Sequence, residues 1–218
     1  MLPRTCRDLQ ACSLPTRWPV WDDVAVDPVY RPNAIPDPPE LSDGQVVLRS
    51  WTYSDLDCIE QASGDPVIPA GTTVPWPFSR ESGLAFLERQ WQRSVTGEGL
   101  SLAVTEAATD TAVGLICLLH RQQPGVAGVG FWTVASRRRQ GFARTSLGLL
   151  SRWALGLPVV VRLEALVEPD NEGSTRVLEA VGFRREGLLR AYLDLRGVRG
   201  DALLFSLLRE DLGYPNHC

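Results

Sequence analysis

Ser136-Arg137-Arg138-Arg139-Gln140-Gly141-Phe142-Ala143 is the stretch whose reading decides the fold. Ahead of it, Val126 to Val134 is rich in β-branched and aromatic residues and reads as a strand. Behind it, Leu147, Leu150 and Ala154, together with Trp153, recur at helical spacing, so Gly141 to Leu155 reads as a helix with one apolar face. A strand that passes through a glycine-bearing loop into a helix leaves several backbone N–H groups without internal partners, and a glycine followed by a small residue lets a ligand approach them. That arrangement suits a pyrophosphate. The three arginines add fixed positive charge to a chain whose net charge is −4. A solvated basic loop has the same composition, so the segments around it have to decide.

Upstream, Val46 to Trp51 reads as a strand and Ser54 to Gln61 as a short helix. Pro66, Pro69, Pro75 and Pro77 then predict a loop that carries Trp76 and Phe78. Ser79 is a good N-cap for a helix along which Leu84, Leu87, Trp91 and Val95 recur. Leu100 to Glu106 and Ala112 to His120 form a hairpin that leads into the Val126 strand. Downstream, Val159 to Val167 reads as a strand and Asn171 to Val181 as a helix with Val177, Leu178 and Val181 on one side. Phe183 to Tyr192 and Asp201 to Leu208 close the chain as strands around a turn at Gly197 and Gly200. The order describes one α/β domain on a mixed sheet of about seven strands flanked by about four helices.

Half of the 16 prolines fall within residues 1–40, which hold no glycine and no sustained apolar period. Residues 1–44 are therefore expected to be an extended arm, with Trp18, Val20 and Trp21 as points of attachment. Residues 45–213 are expected to be the domain and 214–218 a tail. No apolar run approaches the roughly 20 residues needed to span a bilayer, and no apolar block follows the N-terminal charges as a secretory signal requires. The expectation is a soluble, cytoplasmic protein without a membrane partner. An acidic balance, with pI about 5.3, argues against a nucleic-acid surface. The five cysteines are scattered without a C-x-x-C pair, and no metal site is expected. All 22 basic residues are arginine, which excludes lysine Schiff-base chemistry and a Walker lysine.

The series runs from Gly130-Phe131-Trp132 through Arg138-x-x-Gly141-x-Ala143 to Pro169-Asp170-Asn171-Glu172-Gly173-Ser174. It continues through Val181-Gly182-Phe183 and Glu186-Gly187-Leu188-Leu189-Arg190, and ends at Asp201. Taken in order it resembles the GNAT acetyltransferase superfamily, and within it the RimJ/RimL-like ribosomal-protein N-acetyltransferases, over about Gln45 to Leu212. The resemblance implies the GNAT fold and an N-acyltransferase that moves an acetyl or related acyl group from acyl-CoA to a primary amine by direct attack. It implies acetyl-CoA as co-substrate, bound by the splayed strand at Trp132, Thr133 and Val134 and by the loop residues Arg138, Arg139, Gln140, Gly141, Phe142 and Ala143. Asn171 would meet the pantetheine arm and Ser174 would lie near the thioester sulfur as proton donor; helix capping is the alternative role for both residues. Trp76 and Phe78 would line the acceptor pocket or lid the core.

Two positions depart from the wider superfamily. Leu178 stands where many members carry a Tyr that protonates the leaving thiolate, and Gly128 stands where many carry a Glu base. An α-amine of pKa about 8 is roughly one-tenth neutral at pH 7, whereas a lysine ε-amine near 10.4 is neutral in under one part in a thousand. A missing base therefore favours a low-pKa acceptor, a protein N-terminal α-amine or a small-molecule amine, unless Glu106, Glu168 or Glu172 acts through water. A non-catalytic acyl-CoA-binding or regulatory module is the competing reading, and a homodimer is left open.

Overall fold

The computed structural model describes residues 35, 36, 38–195 and 197–214, so the arm residues Trp18, Val20 and Trp21 and most of the tail lie outside the described residues. The sheet is eight-stranded, in the order β1-β2-β3-β4-β5-β6-β8-β7. Its strands are β1 (Leu41–Ser42), β2 (Val46–Arg49), β3 (Gly99–Glu106), β4 (Thr111–His120), β5 (Val126–Thr133), β6 (Arg162–Val167), β7 (Arg184–Leu195) and β8 (Val198–Leu208). Five helices accompany them: α1 (Leu56–Ser63), α2 (Ile68–Gly71), α3 (Arg80–Thr96), α4 (Phe142–Gly156) and α5 (Glu172–Val181). Every neighbouring pair is antiparallel except β5 and β6. The mixed α/β architecture expected from the sequence is therefore present, with one strand and one helix more than the pattern predicts.

Both additions have local causes. β1 is two residues long and pairs with β2 through Leu41↔Leu48 and Ser42↔Val47, too short to show a period. α2 sits in the proline-rich loop because Pro69 falls in its first turn, where a missing N–H costs nothing. Asp65 Oδ1 caps its start, accepting from Val67 N–H at 2.8 Å and Ile68 N–H at 3.1 Å. The strand expected from Val159 begins later, at Arg162, since Val160 N–H closes a turn onto Leu157 O.

α1 and α3 pack together on one face of the sheet and α4 and α5 on the other. Leu147, Leu150 and Ala154 of α4 are fully buried, as are Ile59 of α1 and Leu87 of α3, whereas Val95, on the predicted α3 face, is 69% exposed. Beyond β5 only one face is covered. In β6, Leu163, Ala165 and Val167 are buried under the α4–α5 layer, while Arg162, Glu164 and Leu166 are half-buried on the open side. Arg162 there donates to Glu164 at 2.8 Å and to both oxygens of Glu186, which also accepts from Ser206 Oγ at 2.6 Å. Arg162, and then Ser206, lower the Glu186 carboxyl from 4.5 to about 2.

Arg49 ties the first half of the domain together. Its guanidinium grips both oxygens of the buried Asp55 at 2.8 and 2.9 Å, and its Nε reaches Asp110 Oδ1 at 2.7 Å. β2, the start of α1 and the β3–β4 turn thus meet at one side chain, and Asp55 in turn accepts from Thr52 N–H at 2.8 Å. Removing one partner of a buried ion pair costs about 3–5 kcal/mol, because the other charge is left uncompensated. Arg49→Ala should accordingly lower the unfolding free energy by about that amount in a urea titration, while the exposed pair Arg176–Glu172 should contribute under about 1 kcal/mol.

Candidate active site

The site begins where β5 and β6 part. Their parallel pairing runs through Val126↔Arg162, Ala127↔Leu163 and Gly128↔Glu164 and stops. Past that point β5 stays in register with β4 as far as Gly114↔Thr133, and β6 follows β8 through Val167↔Leu203. A wedge therefore opens toward the carboxyl ends of both strands, the place where α/β sheets receive ligands. Gly114 secures the β4 side of it, since a Cβ there would come within 2.3 Å of Trp132 O.

Hydrogen-bond alternation decides which backbone groups face the wedge. Arg121 N–H donates to Val126 O at 3.2 Å and Val134 N–H to Val113 O at 2.9 Å. Even-numbered residues of β5 thus turn their backbone toward β4, and odd-numbered ones turn toward the opening. Of the three strand residues the sequence singles out, Trp132 and Val134 are committed to β4. Thr133 faces the wedge, and so does Phe131, which the sequence reading includes in the Gly130-Phe131-Trp132 motif without assigning it to the cofactor. The distinction rests on ladder phase and not on residue type.

After β5 a 3-10 turn at Ala135–Arg137 leads into the loop. Arg138 leaves it as a clamp: its N–H donates to Ala135 O at 3.3 Å, its Nε to Thr133 O at 3.1 Å and its Nη2 to Asp65 Oδ2 at 2.7 Å. Asp65 is 6% exposed, so the Arg138 guanidinium is held by a buried carboxylate that also caps α2. Arg139 and Gly141 both have positive φ, 61° and 92°, which turns successive N–H groups outward. From Arg139 to Arg144 no N–H has an acceptor among the described residues; Thr145 is the first to close a helical bond, onto Gly141 O at 2.9 Å. Nothing lies within 4 Å of where a Gly141 Cβ would stand, which leaves room for an anion over the α4 N-terminus.

At the end of β6, Asn171 N–H turns back to Glu168 O at 3.0 Å and α5 begins. The Asn171 side chain caps that helix, its Oδ1 accepting from Ser174 N–H at 3.0 Å. Capping is therefore one of its roles, and its amide nitrogen has no partner among the described residues. Ser174 is half-buried in the first turn, and its hydroxyl has no hydrogen-bond partner among the described residues.

Trp76 is 67% exposed, whereas the Phe78 ring packs onto α3, 2.8 Å from where a Gly83 Cβ would stand. Phe78 thus closes the core at that point. Of the three glutamates, Glu106 accepts from Thr109 Oγ1 at 2.9 Å and Glu172 from Arg176 at 2.6 Å. Glu168, beside Gly71 of α2, is half-buried and without a side-chain partner among the described residues. Burial pushes the Cys117 thiol up despite the charges of Arg93 and Arg121, which removes it as a nucleophile at neutral pH.

A mixed sheet parted at a parallel pair, with unpartnered N–H groups at the adjoining helix start, defines an α/β framework with an open backbone edge beside a helix N-terminus. Comparison with known proteins names the family. The model of the acetyltransferase (GNAT) domain matches residues 45–184. YoaA of Bacillus subtilis (strain 168), named as an N-acetyltransferase, is 30% identical over 176 residues, covering 78% of this chain and 97% of that protein. The N-acetyltransferase p20 of Bacillus licheniformis is 27% identical over 169 residues, covering 77% and 94%. Among solved structures, RimJ of Mycobacterium smegmatis in complex with CoA-disulfide shares the fold with a TM-score of 0.67 at 24% identity, covering 77% of this chain and 83% of that one. The chain belongs to the GNAT acetyltransferase family and is an acyl-CoA-dependent N-acetyltransferase.

If the loop amides carry the phosphates, Gly141→Val should abolish CoA binding in calorimetry, since a β-branched residue resists φ near 92° and fills the open space. Arg139→Ala should weaken binding by a smaller factor. Equal, small losses would remove the phosphates from this loop.

Proposed function

We propose that the protein transfers an acetyl group from acetyl-CoA to a primary amine of low pKa, a protein N-terminal α-amine or a small-molecule amine, by direct attack in a ternary complex. The observation that carries this reading is the wedge between β5 and β6 with the unpartnered N–H groups of Arg139 to Arg144 at its mouth. Gly141, Phe142 and Ala143, with Arg139 and Gln140, would hold the diphosphate through their backbone. The Phe131 and Thr133 backbone and the Asn171 amide would hold the pantetheine arm. Trp76 is the exposed aromatic available to the acceptor.

In the transfer, the amine lone pair attacks the thioester carbonyl carbon and the carbon–sulfur bond breaks. A wedge-facing N–H, that of Phe131 or Thr133, is placed to stabilise the developing oxyanion. The Ser174 hydroxyl gives its proton to the departing sulfur and regains one from the new ammonium through water. General acid catalysis contributes on the order of 10² to 10⁴, and a CoA thiolate is already a fair leaving group, so the lower end applies. Ser174→Ala should lower kcat by roughly tenfold to a hundredfold with CoA affinity nearly unchanged. Full turnover at saturation combined with lost stability would make Ser174 a helix-start residue only.

No carboxylate occupies the base position, because the Arg121 guanidinium lies over Gly128. The acceptor's own amine pKa should then set the rising limb of the pH–rate profile, and two acceptors of different amine pKa should shift it accordingly. A shared inflection near pH 6 to 7 would instead reveal a tuned carboxylate base, for which Glu168 is the free candidate. Thiol release from acetyl-CoA against a panel of peptides and amines tests the activity itself. Ligand-induced thermal protection without turnover would favour a non-catalytic binding module.

A further inference from the structure

On the open face of the sheet, two arginines point to the kind of acceptor the site takes. Arg121 follows β4, and its guanidinium lies flat over Gly128 of β5: a Cβ there would fall 2.7 Å from its Cζ, Nε and Nη2. Arg93 reaches the same neighbourhood from the last turn of α3, and both charges act on the Cys117 thiol, which sits 3.1 Å from where a Gly130 Cβ would stand. The Nε atoms of both arginines are buried and have no hydrogen-bond partner. Neither guanidinium has an ion-pair partner among the described residues. The nearest carboxylate in register is Glu164, opposite Gly128, and it is committed to Arg162 at 2.8 Å.

Two like charges with buried, unmatched donors are unfavourable unless an anion meets them. Glycine at position 128 is what lets the Arg121 guanidinium lie against the strand. The spot also lies beside the wedge, about 10 Å along β5 from Phe131 at roughly 3.3 Å per residue.

We propose that Arg93 and Arg121 form an anion subsite for the acceptor, so that the protein selects primary amines that also carry a carboxylate or phosphate. The inference rests on the acetyl-transfer reading for the position of the amine, but the subsite itself is open to direct binding measurement. An electrostatic anchor of this kind acts on acceptor binding and leaves the donor site alone.

The test compares seryl-glutamate amide, seryl-phosphoserine amide and the uncharged seryl-glutamine amide as acceptors. The wild-type protein should favour one or both acidic peptides over the glutamine peptide by at least tenfold in kcat/KM, expressed in KM for the peptide. Which of the two is preferred identifies the oxyanion. Arg121→Gln and Arg93→Gln, made separately and checked by thermal melting, should bring the ratio toward one, and Arg121→Lys should retain part of it. Equal use of all three peptides by the wild type, or a preference that survives both substitutions, would overturn the proposal. Calorimetry with the N-acetylated glutamate peptide separates this from the activity. Binding that depends on Arg121 in a protein that acetylates no peptide would sink the transfer reading and keep the subsite, whereas turnover without acidic preference would do the reverse.

Discussion

Everything distinctive in this molecule follows from two neighbouring strands that stop pairing. β5 and β6 run parallel from Val126 to Gly128 and then separate, each held to its other neighbour by an intact antiparallel ladder. Sheet hydrogen bonds are cooperative along a ladder, and a central strand that forgoes them on one edge leaves polar backbone exposed to whatever enters. An extended ligand with alternating amides, such as a pantetheine arm, would meet that need in the order a missing strand does.

The wedge needs its mouth held in place, and here the arginine run divides its labour. Arg138 is bound to Thr133 O and to the buried Asp65, which also caps α2 through its other oxygen. One carboxylate thus fixes both the start of the loop and the α2 helix. Arg139 and Gly141, at positive φ, then present N–H groups outward. Of the three arginines, Arg137 and Arg138 are thus paired within the protein, with Glu106 and Asp65.

Periodicity made most of the fold legible. The alternation of β5 and the helical spacing of Leu147, Leu150 and Ala154 located the crossover that frames the site, and the buried residues of α4 are those the pattern predicts. Elements set by single contacts were not legible. α2 depends on the Asp65 cap inside a proline-rich run, and β1 on two residues of pairing. In the site, the strand–loop–helix pattern pointed to the loop and the family resemblance to Ser174, yet neither could say which strand residues turn toward the opening. That depends on ladder phase, fixed by bonds such as Val134 N–H to Val113 O. The guanidinium of Arg121 over Gly128 joins residues on two strands, so no local motif contains it.

The most direct test of the account is a backbone amide NMR titration with CoA. The account predicts the largest shifts at Phe131 and Thr133 and at Arg139 to Ala143, with the Trp132 and Val134 amides, already bonded across to β4, shifting less. Shifts concentrated instead on the cavity beside Gln61, Thr111 and Ser136, with the wedge amides unmoved, would contradict it.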